Sequence, residues 1–153
     1  MGTELTAQSL IVTITEALAV DHANGATNDI DFAQTYTHTY GSIANVSKRI
    51  IKLANTNLTE IATFGSTTAD GAFVRADIRY IRVTNLDASD ALQVGMDDED
   101  SDAAYTSVAA DSSIIFTGTT VEGGNGGSTL DAATALKVKG ASNQQLELFI
   151  ASV

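Results

Sequence analysis

An all-β fold is what this sequence predicts, and three observations carry the prediction. Apolar residues recur at period two through most of the chain, as in Phe32, Gln34, Tyr36, His38 and Tyr40 against Ala33, Thr35, Thr37 and Thr39. The runs are rich in Val, Ile, Thr and aromatic residues, and there is no proline. Between them stand clusters of Gly, Asn, Asp and Ser, the residues that make turns. About eight to ten short strands at this spacing predict an antiparallel β-sandwich, jelly-roll-like, as a single domain over residues 1–153.

Taken in order, Leu10, Val12, Ile14, Leu18 and Val20 share one parity, so residues 9–20 read as a strand with a bulge near Glu16. A polar loop with Asn24-Gly25 leads to the aromatic strand 32–40. Residues 46–54, VSKRIIKLA, fit a helix or a strand, and their place between two β-like runs favours strand. Leu58 to Phe64 is the next strand. From Phe73 to Met96 the reading is strand, turn, strand: Val74, Ala76, Ile78 and Tyr80 share one face, residues 85–90 turn, and Leu92, Val94 and Met96 resume it. After Tyr80 the apolar Ile81 and Val83 take the parity of Arg75, Asp77 and Arg79, so either a bulge flips the register or both faces are covered there. An acidic loop at 97–102, strands near 105–109 and 114–116, a Gly-rich loop at 121–129 and strands near 136–138 and 146–150 complete the chain. The first and last strands are both apolar enough to be expected inside the fold.

Composition narrows the function. A chain of this length buries roughly 70% of its unfolded surface, and with no cysteine it has neither disulfide nor thiolate metal site. Net charge of −11 with only eight cations disfavours nucleic acid and anionic membranes as partners. Glu4 and Glu16 and the lack of a basic start argue against a secretory signal, and no uncharged run approaches membrane-spanning length.

Chemistry is sparse. Asp98, Asp100 and Asp102 repeat the opening of a calcium loop, but Ala103 stands where that loop turns on Gly and Ala109 where it needs a bidentate Glu. They remain the weak metal candidates. His22 and His38 have no second His at ligand spacing, and no nucleophile-elbow pattern occurs. The glycines at 123–127 lack the order of a phosphate loop. An enzyme is not expected, nor a cofactor.

The charge layout is more informative. All cations fall in three segments, Lys48, Arg49 and Lys52, then Arg75, Arg79 and Arg82, then Lys137 and Lys139. Ten acids lie between Arg82 and Lys137, from Asp87 to Asp131. If the basic segments neighbour one another the molecule has a basic face suited to an acidic protein surface; otherwise the cations pair locally with acids such as Glu60 and Asp77.

The string Arg79 to Asp87, RYIRVTNLD, then Leu92-Gln93-Val94-Gly95-Met96, Ala110 to Phe116 and the closing Leu146 to Ile150, resembles the small β-sandwich virion proteins of tailed bacteriophages. The resemblance covers residues 73–153, with Asp111-Ser112 at a turn where Pro-Gly is frequent. It implies a capsid decoration or cement protein, commonly a homotrimer, bound to the major capsid protein on the virion surface and made in the host cytoplasm. Tail and adaptor proteins share the pattern. On this reading Lys48, Lys52, Arg75 and Arg79 are expected to contact the capsid. Ile81, Val83 and Phe149, whose parity opposes that of their neighbours, are expected in an oligomer interface. The alternative is a glycan- or host-binding module of a tail component, using the Tyr36 and Tyr40 face or the acidic loop with calcium.

Overall fold

Period-two patterning becomes strand along the chain. The computed structural model describes residues 8–20, 30–67, 72–98, 103–117 and 133–153. These hold eleven strands: β1 (Gln8–Val20), β2 (Ile30–Ile43), β3 (Asn45–Lys52), β4 (Thr59–Gly65), β5 (Ala72–Val74), β6 (Ile78–Asn85), β7 (Leu92–Asp98), β8 (Ala103–Val108), β9 (Ser113–Thr117), β10 (Ala133–Lys139) and β11 (Gln145–Ser152). The ambiguous segment 46–54 is strand up to Lys52. The only helical element among the described residues is a 3-10 turn, Arg75–Asp77.

By contacts the chain parts into two compact units, Met1–Ile43 and Ala44–Val153, where the patterning alone reads as one domain. In the first, β1 and β2 form a two-stranded antiparallel sheet. Here the structure corrects an expectation. The first strand was expected inside the fold, yet Ile11 is 63% and Ile14 45% exposed. Among the described residues it pairs only with β2, and a two-stranded ribbon has no second layer of its own to bury a face. Nor is there a bulge at Glu16, which stands in register with Gln34; the only shift lies between Gln8 and Leu10.

The second unit is the sandwich. A five-stranded sheet in the order β5-β4-β10-β7-β8 and a four-stranded sheet in the order β3-β11-β6-β9 share one core. Pairing is antiparallel except between β4 and β5. The closing strand β11 lies between β3 and β6, and its Leu146, Leu148 and Ile150 are fully buried. They meet Leu92 and Val94 of β7 and Leu136 and Val138 of β10 in that core. Each such side chain contributes about 1.5–3 kcal/mol of apolar burial, so these alternating rows hold the sheets together.

The 73–96 segment departs from the hairpin its sequence suggests. β6 pairs with β11 and β9, whereas β7 pairs with β10 and β8, so residues 86–91 carry the chain from one sheet to the other. The parity change after Tyr80 is a bulge: Ile81 faces Ile150 and Tyr80 faces Ala151, but Ile78 faces Ser152, leaving Arg79 extra. Ile78, Ile81 and Val83 thus all point into the core. Ile81 and Val83, expected at an oligomer interface, are wholly buried within the sandwich, and the bulge is why their parity misleads.

The crossover is fixed by a buried amide pair. Asn85 Nδ2 donates to the carbonyls of Asp90 (2.7 Å) and Ala109 (3.1 Å), while its Oδ1 accepts from Gln144 Nε2 (3.0 Å) and the Asp87 amide (3.2 Å). Gln144 also donates to Asp90 O (3.1 Å) and accepts from the Ala141 amide (2.7 Å). Every polar atom of the pair is used, the condition under which buried amides stabilise. Gly140 makes room for it, since a Cβ there would stand 2.0 Å from Gln144 Oε1 and 3.0 Å from Leu92 Cδ1. The turns nearby use residues that tolerate left-handed backbone, Asp111 (φ 52°) and Asn143 (φ 69°). Asp87 Oδ1 accepts from the amides of Asp90 and Ser89 and from the Ser89 hydroxyl, which holds its carboxyl below the ordinary range.

Candidate interaction face

Alternation along the four-stranded sheet determines what its outer side presents. With Leu146, Leu148, Ile150, Ile81 and Val83 inward, the outward row set is Val46, Lys48, Ile50 and Lys52 on β3, Glu147 and Phe149 on β11, Arg82 and Thr84 on β6, and Ile115 on β9; Tyr80 and Ala151 share that parity but are buried. Val46 and Ile50 are 58% and 66% exposed. They sit on an edge strand, alternating with Lys48 and Lys52. Lysine on an open edge discourages indiscriminate strand addition, so contact through this row selects partners by charge.

Glu147 lies between two cations, 3.1 Å from Lys48 Nζ and 2.5 Å from Arg82 Nη2. The Lys48 hydrogen bond, then that of Arg82, holds its carboxyl below the usual value against the opposing effect of burial. Arg82 also stands 5.7 Å from the centre of the Phe149 ring, and Phe149 meets Tyr80 edge to face at 5.9 Å. That packing fixes Arg82 and Phe149 as a rigid floor beside the β3 row. The outward set carries Lys48, Lys52 and Arg82 against Glu147 alone, a positive surface on a chain of net charge −11.

The structure distributes the predicted residues unevenly. Lys48 and Lys52 come together on this face. Arg75 and Arg79 lie instead in the 3-10 turn and the bulge, and Arg79 turns its guanidinium to the carbonyls of Ala76 (2.7 Å) and Ile78 (3.2 Å). Phe149 is outward and half-buried, in contrast to Ile81 and Val83. Arg49 points the other way along β3 and donates to Ile61 O of β4 at 2.7 Å, closing one side of the sandwich. The third basic segment is on the other sheet, where Lys137 pairs with Asp97, which also accepts from the Tyr105 hydroxyl. This pairing raises the Lys137 pKa, while burial, then Asp97, raises that of Tyr105. Two of the three basic segments therefore flank one strand, and the third is paired locally, with Asp97.

Sequence reasoning missed Val46, Ile50 and Glu147, and named Arg82 only as a member of the second basic segment. One signal was available: a carboxylate between Leu146 and Leu148 in a strand rich enough in apolar residues to be central requires a cationic neighbour.

Other chemistry is thin. Among the described residues no group of three or more His, Asp or Glu could hold a metal ion, and no helix is long and apolar enough to cross a membrane. Of the metal candidates, Asp100 and Asp102 and the side chain of Asp98 lie outside the described residues, as does His22. His38 is exposed on β2, its ring 4.4 Å from that of Tyr40. A pocket of about 250 Å³ is lined by Asn45, Phe73, Val74, Asp77 and Ser152, with one carboxylate. Compared with protein families, curated proteins and solved structures, the chain matches none.

Proposed function

We propose that this chain is a non-enzymatic virion structural protein of a tailed bacteriophage, a decoration protein that binds the major capsid protein on the outer surface of the head. The observation that carries the reading is the outward face of β3, β11 and β6: three cations, one acid and two largely exposed aliphatic residues on an otherwise acidic molecule. Such a face orients the protein on an acidic surface, because the remaining surface is repelled by it. Val46 and Ile50 supply apolar contact, and Lys48 and Lys52 the charge match. The resemblance of the sequence to small phage virion proteins supports taking that surface as the capsid, and the RYIRVTNLD string that carries it is the strand and crossover beside this face. No cofactor is needed for this role.

A second reading, a glycan- or host-binding module of a tail component, is favoured by the aromatic row of β2, where Tyr36 is 51% exposed. Immunogold labelling of purified virions with antibody to the chain separates the two. Label over the head supports decoration, label over the tail favours the second reading, and virions without the chain overturn both.

A further inference from the structure

The first unit presents a separate problem. β1 has 13 residues and β2 has 14, among the described residues they pair only with each other, and no described side chain from Gln8 to Ser42 is buried. A lone two-stranded sheet is at best marginally stable in water. The register places Leu10 opposite Tyr40, Val12 opposite His38 and Ile14 opposite Tyr36 on one side, and Thr13 opposite Thr37 and Thr15 opposite Thr35 on the other. One face is apolar and aromatic up to the Glu16–Gln34 pair, and the other is mainly a threonine ladder, with hydroxyl pairs at 3.4 Å, interrupted by Ile11 opposite Thr39 and Ala17 opposite Ala33. The ribbon is built for a covered side and a wet side.

We propose that the occupant of the apolar side is the same ribbon of a second copy of this chain. Charge decides between occupants. The strands β1 and β2 contain no Lys or Arg and only Glu16 and Asp31 as acids, and Glu16 stands opposite Gln34. A partner bearing either sign of charge finds nothing to pair with here, whereas an equally uncharged face is complementary. Two copies that each carry −11 repel at acid-rich surfaces, and this ribbon is where they can meet without setting acid against acid. Area constrains the mode. Thirteen residues at ~3.3 Å by two strands give a face of roughly 430 Å², about half of the ~800 Å² per partner of a stable interface. A face of that size supports a weak association, so the contact is read at high protein concentration. This inference is independent of the docking face on β3.

Light scattering on the full chain tests it, with the same substitution at neighbouring positions that face opposite sides. Wild type and Thr37→Lys are expected to be oligomers at about 100 µM, and Tyr36→Lys to fall to the 15.9 kDa monomer with the sandwich's thermal unfolding unchanged. Ile14→Thr keeps a β-branched residue and is expected to raise the dissociation constant ~10-fold or more. A wild-type monomer overturns the proposal, as does a Tyr36→Lys or Ile14→Thr chain that associates as wild type does.

Discussion

Replacing Asn85 by alanine tests the buried amide pair that carries the chain from one sheet to the other. Its side chain is fully buried and makes four good hydrogen bonds, to Asp90 O, Ala109 O, Gln144 Nε2 and the Asp87 amide. Without it, Gln144 Nε2 and Asp90 O keep each other at 3.1 Å and the Ala109 carbonyl keeps the Ser112 amide at 3.3 Å, so the group left stranded is the Asp87 amide. A stranded buried group costs about 1–3 kcal/mol, and Asp87 lies near enough to solvent for the lower end to apply. With the small void, the loss is about 2–3 kcal/mol. In urea that is a midpoint lower by roughly 1–2 M at unchanged slope, and in heat a transition lower by on the order of 10 °C. Asn85→Asp changes no volume but sets a carboxylate oxygen against two carbonyls. It is expected to cost more than alanine at pH 7 and less at pH 4, where the acid can donate. A loss below about 1 kcal/mol for Asn85→Ala, or no pH dependence for Asn85→Asp, refutes the claim that this network is closed to water.

Three further outcomes follow from the same contacts. Glu147 has its carboxyl held below the usual 4.5, so its pairing stabilises the fold above that value and the contribution is lost as pH falls through the lowered one. Glu147→Gln should therefore cost about 1 kcal/mol at neutral pH, and the gap to wild type in urea midpoint should close as the solution is acidified. Gly140→Ala drives a methyl group into Gln144 Oε1 and should cost about 2 kcal/mol, with urea melts as the readout. Ile81→Asp buries a charge in the core and should abolish cooperative unfolding, at about 4 kcal/mol or more; a folded monomer released from an oligomer would return Ile81 to an interface.

Much of the fold was legible because alternation is a local signal. Strand β11 could be read from Leu146, Leu148 and Ile150 alone, and the bulge was foreshadowed by the change of parity between Tyr80 and Ile81. Strand partners were not legible, since period two does not say which neighbour satisfies an edge. Residues 73–96 looked like a hairpin because a turn between two strands is short either way; what sends the chain to the opposite sheet is Asn85 meeting Gln144, 59 positions later. The interface expectation at Ile81 and Val83 failed for the same reason, because the extra residue Arg79 is visible only against β11. Lys48 and Lys52 were legible as a pair, yet the face they belong to depended on β3 lying next to β11, with Glu147 and then Arg82 beyond it.

The docking claim is tested most directly by co-sedimentation of the full chain with capsids of its phage that lack it, comparing wild type with the Lys48→Glu, Lys52→Glu double variant. Saturable wild-type binding that weakens as salt is raised toward ~0.5 M, and that falls at least ~10-fold in the variant, is the predicted result. Equal binding by wild type and variant, indifferent to salt, would contradict the assignment of this face.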